Sequence, residues 1–121
     1  MYETIDQIKQ ANAHTGQRWF EEGAMEWFSS IIEPKVYQGC YFITSEKYEL
    51  SDVEKGKGMP EMPRRWSIRL ATPQGWISTM GEFQHYNSLQ EAEEAVAKLP
   101  PCKDIVTEVR TTDHDVEVIV D

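Results

Sequence analysis

Apolar and polar residues alternate most regularly between positions 65 and 86. In the first half of this stretch, tryptophan, isoleucine and leucine alternate with arginine and serine, which is the period of two expected of a half-buried strand. After a turn at 72–75, in which Pro73 presets φ and Gly75 can take a positive φ, the alternation resumes. The stretch therefore predicts a two-stranded hairpin, with Trp66 packed between the sheet and the helices.

Helical spacing of apolar residues predicts three helices. The first begins at a capping box formed by Thr4 and Gln7 and stops at Gly16. The second is predicted over 21–33, before a proline, and has Ile31 on its apolar face. The third is predicted to open at a second capping box and to run over 88–99, where two prolines stop it.

The remaining patterns predict an α+β fold. A β-rich segment lies within 36–48, and two more strands are predicted at 105–110 and 115–121. Between them, 49–63 combines glycine, proline and charge without periodicity and is predicted to be a mobile loop. We therefore expect one domain over 1–121, with a mainly antiparallel sheet of about five strands. Two helices should precede the sheet, and one should lie between its third and fourth strands.

Charge narrows the classes of partner. The chain of 121 residues has a net charge of −9, which repels phosphates and argues against direct nucleic acid binding. No apolar run reaches the roughly 20 residues that span a bilayer, so no membrane partner is expected. Ten acidic and three basic residues follow Leu70, so seven of the nine net charges fall there. Either this is a solvated surface, or Asp113, Asp115 and Glu117 contact a basic protein partner.

The sequence offers little chemistry. Cys40 and Cys102 form no CxxC pair, so they are expected to be reduced thiols in a cytoplasmic protein, with a disulfide as the alternative. The three histidines and the cysteines lack zinc spacing, and no nucleophile has an identifiable base and acid. We therefore expect no catalytic residue, metal or cofactor.

Two arginines on the first strand of the hairpin allow two interpretations. Arg65 and Arg69 point to the same face of the strand. Arg69 could pair across strands with Glu82 or a neighbouring acid, which would be a structural role. Alternatively, Arg65 and Arg69 with His85 and Tyr86 would bind a small anion or a nucleotide, because the planar guanidinium suits phosphate.

Three segments carry a family resemblance: YFITSE at 41–46, RRWSIR at 64–69 and ISTMGEFQHY at 77–86. They resemble a family of small uncharacterised proteins from bacteriophages and other mobile elements, over most of 5–98. Trp66 and Met80 stand where that pattern has Tyr and Val. The resemblance implies an accessory protein of a phage and implies no activity.

Three functions remain open. The preferred one is a non-enzymatic protein, in the cytoplasm of the host cell, that binds a host or phage protein and inhibits a host defence. The alternative is a small-ligand binder that uses the arginine-bearing face of the hairpin. An enzyme is the third and least supported.

Overall fold

A four-stranded antiparallel sheet, in the order β1-β2-β3-β4, organises the molecule. The computed structural model describes residues 1–21, 30–48, 52–57 and 64–102, together with the backbone of 105–106, 111–112, 115–116 and 119–120. The elements of the main body, in chain order, are α1 (Ile5–Ala13), β1 (Ile31–Ile32), β2 (Tyr41–Lys47), α2 (Asp52–Gly56), β3 (Arg64–Ala71), β4 (Ile77–Met80) and α3 (Leu89–Val96).

Four short strands follow α3: β5 (Ile105–Val106), β6 (Thr111–Thr112), β7 (Asp115–Val116) and β8 (Ile119–Val120). β5 pairs with β8 and β6 pairs with β7, both antiparallel, so these strands make a hairpin of their own. We call residues 105–120 the C-terminal hairpin. Its strand β7 lies against β4 of the main sheet.

The hairpin predicted around the Pro-Gly turn is confirmed as β3 and β4, with Ala71 opposite Ile77. The turn closes when the N–H of Gly75 donates to the carbonyl of Thr72 at 2.9 Å. Gly75 takes φ +100°, and a Cβ there would come within 2.4 Å of the backbone of Ala11. Glycine is therefore required both for the backbone conformation and for the close approach of α1 to the turn.

The predicted strand within 36–48 is confirmed as β2, which lies between β1 and β3. It is entered through a tight turn in which Gln38 and Gly39 have φ of +54° and +82°. Positive φ at both central residues is typical of a type I′ turn, here over 37–40, and Cys40 follows it as one further residue before the strand pairing begins. The turn brings Tyr37 opposite Tyr41. Because β2 is central, all its residues except Lys47 are buried, on both faces of the sheet.

The two faces of the sheet bury separate cores. Beneath α3, the core contains Cys40, Tyr41, Ile43, Ile68, Leu70, Ala92 and Val96, with Trp66 half-buried against it. Beneath α1, the core contains Ile8, Phe42, Ala71 and Ile77. This division follows the alternation of side chains along β2 and β3, which sends successive residues to opposite faces.

Several predicted boundaries need correction. The sheet has four strands rather than five, because the last two predicted strands pair with each other in the C-terminal hairpin. With β1 added, the predicted third helix lies between β4 and β5. It ends at Val96 rather than Leu99. The predicted loop over 49–63 contains the short helix α2, and apart from Lys57 its other residues lie outside the described ones.

The predicted helix over 21–33 is wrong at its end. Ile31 pairs with Ser45 as part of β1, and it is 51 % exposed instead of lying on a buried helical face. The middle of that predicted helix, 22–29, lies outside the described residues. The capping box of α1 is confirmed, with Thr4 and Gln7 both bonding as predicted.

The expectation of two reduced thiols is also wrong. Cys40 and Cys102 form a disulfide, with their Cα atoms 5.9 Å apart. The end of α3 returns to the turn that opens β2, where the Nε2 of Gln38 donates to the carbonyls of Val96 and Leu99. This contact brings together two cysteines that are 62 positions apart in the chain.

Candidate functional site

A buried ion pair joins two neighbouring strands on the α1 side of the sheet. The Nη2 of Arg69 in β3 lies 2.9 Å from the Oε1 of Glu46 in β2. The two side chains are only 6 % and 0 % exposed. A buried charge is costly unless it is both paired and hydrogen-bonded, so the surroundings of this pair decide whether it can persist.

Hydroxyl groups complete the hydrogen bonding of the pair. Thr44 donates from Oγ1 to Glu46 Oε1 at 2.6 Å and accepts from the Nε of Arg69 at 3.0 Å. Ser67 donates to the other oxygen of Glu46 at 3.2 Å. The Nη1 of Arg69 donates to the hydroxyl of Thr79 in β4. We call these five residues the buried network; it extends across β2, β3 and β4.

Two aromatic rings enclose the guanidinium group of the network. The Cζ of Arg69 lies 5.3 Å from the ring centroid of Trp19 and 5.2 Å from that of Phe83. The ring of Trp19 also meets Phe20 and Phe42 edge-on. Cation–π contacts strengthen when water is excluded, so these rings both shield and stabilise the charge of Arg69.

Phe83 reaches the network because the β3–β4 ladder is interrupted. After Met80, the next residue to pair with β3 is Tyr86, which exchanges two backbone hydrogen bonds with Trp66. The intervening residues, Gly81–His85, form a bulge. Gln84 fastens it, with its N–H on the hydroxyl of Ser67 at 2.8 Å. Bulges of this kind re-aim side chains, and this one folds over the buried network.

Of the four residues predicted to bind an anion, Arg65 contacts the backbone of His85, whereas Tyr86 packs against the core beneath α3. The Nη2 of Arg65 donates to the carbonyl of His85 at 3.1 Å, and the rings of His85 and Tyr86 meet edge-on at 4.8 Å. The guanidinium of Arg65 also lies over the ring of Tyr48, at 5.0 Å. Arg69, the fourth, belongs to the buried network instead.

The structural interpretation paired Arg69 with Glu82 or a neighbouring acid, and the structure supports the neighbouring acid. The partner of Arg69 is Glu46, whereas Glu82 has a side chain that is 85 % exposed and lies 3.4 Å from His85. Sequence reasoning missed Glu46 because a glutamate near the end of a strand is normally solvated. The available signal was the pairing of YFITSE with RRWSIR as neighbouring strands, which places Glu46 and Arg69 on one face.

The residues predicted to contact a basic partner belong to the C-terminal hairpin. Asp115 opens β7, where it pairs with Thr112. Asp113 and Glu117 lie outside the described residues. The charge of this region follows from the sequence: residues 103–121 contain six acidic and two basic side chains.

Metal binding and membrane insertion each need a recognisable group of residues. Within residues 1–21, 30–48, 52–57 and 64–102, no three His, Cys, Asp or Glu side chains are grouped closely enough to hold a metal ion. None of the helices in this part of the chain is both long and apolar enough to cross a membrane.

Comparison with known proteins identifies a family and no more. No curated protein and no solved structure matches the chain. The model of a family of unknown function, DUF7447, matches residues 4–97, which include every strand of the main sheet and both helices that pack on it. Because this match covers well over half of the 121 residues, the chain belongs to the family of unknown function DUF7447.

Proposed function

We propose that this chain is a non-enzymatic accessory protein of a bacteriophage or another mobile element. In this proposal it binds a basic host or phage protein, in the cytoplasm of the host cell, and so inhibits a host defence. The resemblance of its three strand motifs to small proteins of such elements supports the origin. The distribution of charge supports the mode of action.

The observation that carries the proposal is the contrast between two parts of the chain. Residues 1–102 carry fifteen acidic and ten basic side chains, so a net charge of −5 is spread over 102 positions, whereas the net charge of −4 over 103–121 is concentrated in 19. Over 103–121, six acidic side chains face two basic ones. A concentrated negative field attracts a basic protein and accelerates its association, whereas a nucleic acid is repelled.

The position of the hairpin in the chain supports the same conclusion. The family match ends at residue 97, and the C-terminal hairpin begins at Ile105. All buried residues of the two described cores lie in the matched region, and Tyr2, Leu99 and Cys102 only pack at their margins. Among the described residues, those that form the two cores therefore precede the hairpin, whose strand β7 lies against β4.

The test compares two triple charge reversals that change the net charge equally. Asp113, Asp115 and Glu117 are changed to lysine in one variant. In the control variant, exposed acids of the main body are changed to lysine: Glu3, Glu82 and Glu94. Affinity capture from host lysate by the wild type, read by mass spectrometry, supplies the partner, which is then purified.

Association of the purified partner is measured by surface-based kinetics at two salt concentrations. Reversal in the hairpin should slow association about tenfold or more at low salt, and high salt should reduce the difference, because screening removes steering. The control should slow it less than about threefold. Equal rates for the two variants would refute a role for the hairpin.

A second candidate, binding of a small anion or a nucleotide, is favoured by the contacts of Arg65. Its Nε is buried and has no hydrogen-bond partner, while its guanidinium lies over the ring of Tyr48 and donates to the carbonyl of His85. Calorimetric titration with a nucleotide panel tests this, because Arg65→Ala should abolish any binding seen with the wild type. Binding that survives Arg65→Ala would place the ligand elsewhere.

A further inference from the structure

The root of the C-terminal hairpin is fastened to the beginning of β2. The hydroxyl of Tyr41 donates to the carbonyl of Pro100 at 2.7 Å. Two residues later, the disulfide joins Cys102 to Cys40, which precedes Tyr41 in the chain. Cys102 is the last described residue before the hairpin, so this covalent bond fixes the place from which the hairpin departs.

The two sulfur atoms differ in accessibility. Cys40 is 5 % exposed and belongs to the core beneath α3. Cys102 is half-buried and only packs against that core. Thiol–disulfide exchange requires access for the attacking thiolate, so attack falls on the sulfur of Cys102.

We propose that the Cys40–Cys102 disulfide is a redox-controlled tether of the C-terminal hairpin, opened by a dithiol reductant. A thiolate of the dithiol attacks Sγ of Cys102, the S–S bond breaks, and the sulfur of Cys40 leaves as a thiolate that takes up a proton. The second thiol of the reductant then attacks the mixed disulfide, forming the reductant's own disulfide. Sγ of Cys102 leaves and is protonated, so two electrons reduce the protein disulfide to two thiols.

Opening the bond removes the covalent link at the root of the hairpin and leaves the main body folded. α3 stays on the sheet through Ala92 and Val96, which are buried, and through the amide of Gln38 at its last carbonyls. The described contacts that then remain are the hydrogen bond to Pro100 at the root and the packing of β7 against β4. A two-stranded hairpin is only marginally stable by itself in water, so a hairpin held by these contacts alone should fray.

The biological consequence of this tether rests on the proposed function: recognition by the hairpin would depend on the redox state of the disulfide. Disulfides are rare in the cytosol because cellular thiols reduce them. A chain that enters a reducing host cytoplasm with this bond intact would release its acidic hairpin there. The hairpin would then contact a basic partner without the constraint of a fixed root.

Hydrogen exchange read by mass spectrometry tests the tether on the full chain. The oxidised wild type, the wild type treated with dithiothreitol, and Cys102→Ser are compared. Amides within 105–120 should exchange at least about tenfold faster in the treated wild type and in Cys102→Ser. Amides of β2 and β3 should keep their rates within about threefold. In the double variant Cys40→Ser/Cys102→Ser, dithiothreitol should change nothing.

Two results would overturn the tether. In one, the hairpin amides exchange at the same rate before and after reduction. In the other, β2 and β3 lose protection together with the hairpin, which means that the bond holds the whole fold. Neither measurement uses a partner, so failure of the tether and failure of the charge-reversal experiment are separate outcomes.

Discussion

The buried network makes a quantitative prediction for Glu46→Gln. The substitution keeps the size and shape of the side chain and removes the negative charge that faces Arg69 at 2.9 Å. Because both partners are buried, the guanidinium charge is left uncompensated. Removing one member of a buried pair typically costs about 3–5 kcal/mol. Glutamine can still accept one of the original hydrogen bonds, so we expect a loss of about 3 kcal/mol, at the lower end of that range.

The chain supplies a matched control in Glu21→Gln. Glu21 pairs with Arg18 at 2.8 Å, nearly the distance of the buried pair, but the two side chains are 64 % and 57 % exposed. Exposed ion pairs contribute only about 0–1 kcal/mol. The same chemical change at the same separation should therefore have a small effect here, and the difference between the two variants isolates the effect of burial.

Urea denaturation followed by tryptophan fluorescence and circular dichroism measures both free energies of unfolding. For a chain of this size, about 4 °C of melting temperature corresponds to 1 kcal/mol, so Glu46→Gln should also melt about 12 °C lower. A loss within about 1 kcal/mol of that of Glu21→Gln would refute the buried pair as a stabilising contact. A double-mutant cycle with Arg69→Met should give a coupling energy of about 0.5–3 kcal/mol, because the two side chains touch.

Three further predictions concern the turn, the sheet edge and a tyrosine. In denaturant melts, Gly75→Ala should lower the free energy of unfolding by at least about 2 kcal/mol more than Gly16→Ala. Both glycines have positive φ, but only at Gly75 would an added Cβ meet backbone atoms, 2.4 Å away in α1. Gln17→Ala should lower the free energy of unfolding by about 1–3 kcal/mol in the same melts, because the side chain of Gln17 bonds both the N–H and the carbonyl of buried Ile77 in β4, each at 2.8 Å. As a control, exposed Gln90→Ala should change stability by less than about 0.5 kcal/mol. Burial, and to a lesser extent a hydrogen bond to the carboxylate of Glu93, raises the pKa of Tyr37 to about 12. The contribution of Tyr37 to stability is therefore intact below pH 10 and is lost as the pH rises towards 12. In an ultraviolet titration, Tyr37→Phe should lack one late transition that the wild type shows.

Local patterns predicted the elements whose cause is local. The capping box of Thr4 and Gln7 forms because both partners lie within one helical turn. The β3–β4 hairpin forms because Pro73 and Gly75 stand between two alternating runs. The type I′ turn at Gln38 was missed because glutamine is an unusual first residue for a conformation that requires positive φ.

What could not be predicted depends on contacts between distant segments. Cys40 and Cys102 meet only because α3 folds back to the turn before β2, and no spacing rule specifies that return. Arg69 and Glu46 occupy positions on β3 and β2 that alternation alone would leave facing water. Their burial results from the bulge that brings Phe83 over the guanidinium and from Trp19 on its other side. A period-two pattern identifies a face of a strand, but it does not say what will cover that face.

The buried network also separates the parts of the chain that hold the fold from those available for recognition. All five of its residues lie in the motifs that carry the family resemblance, yet their polar groups are turned inward and bonded to one another. Their effect at the surface is indirect: they anchor the Gly81–His85 bulge over the sheet, beside Arg65. Negative charge is most concentrated elsewhere: residues 103–121, which follow the end of the family match at residue 97, carry a net charge of −4. In the function that we propose, recognition uses this hairpin, which both the disulfide at its root and the packing of β7 against β4 hold to the main body.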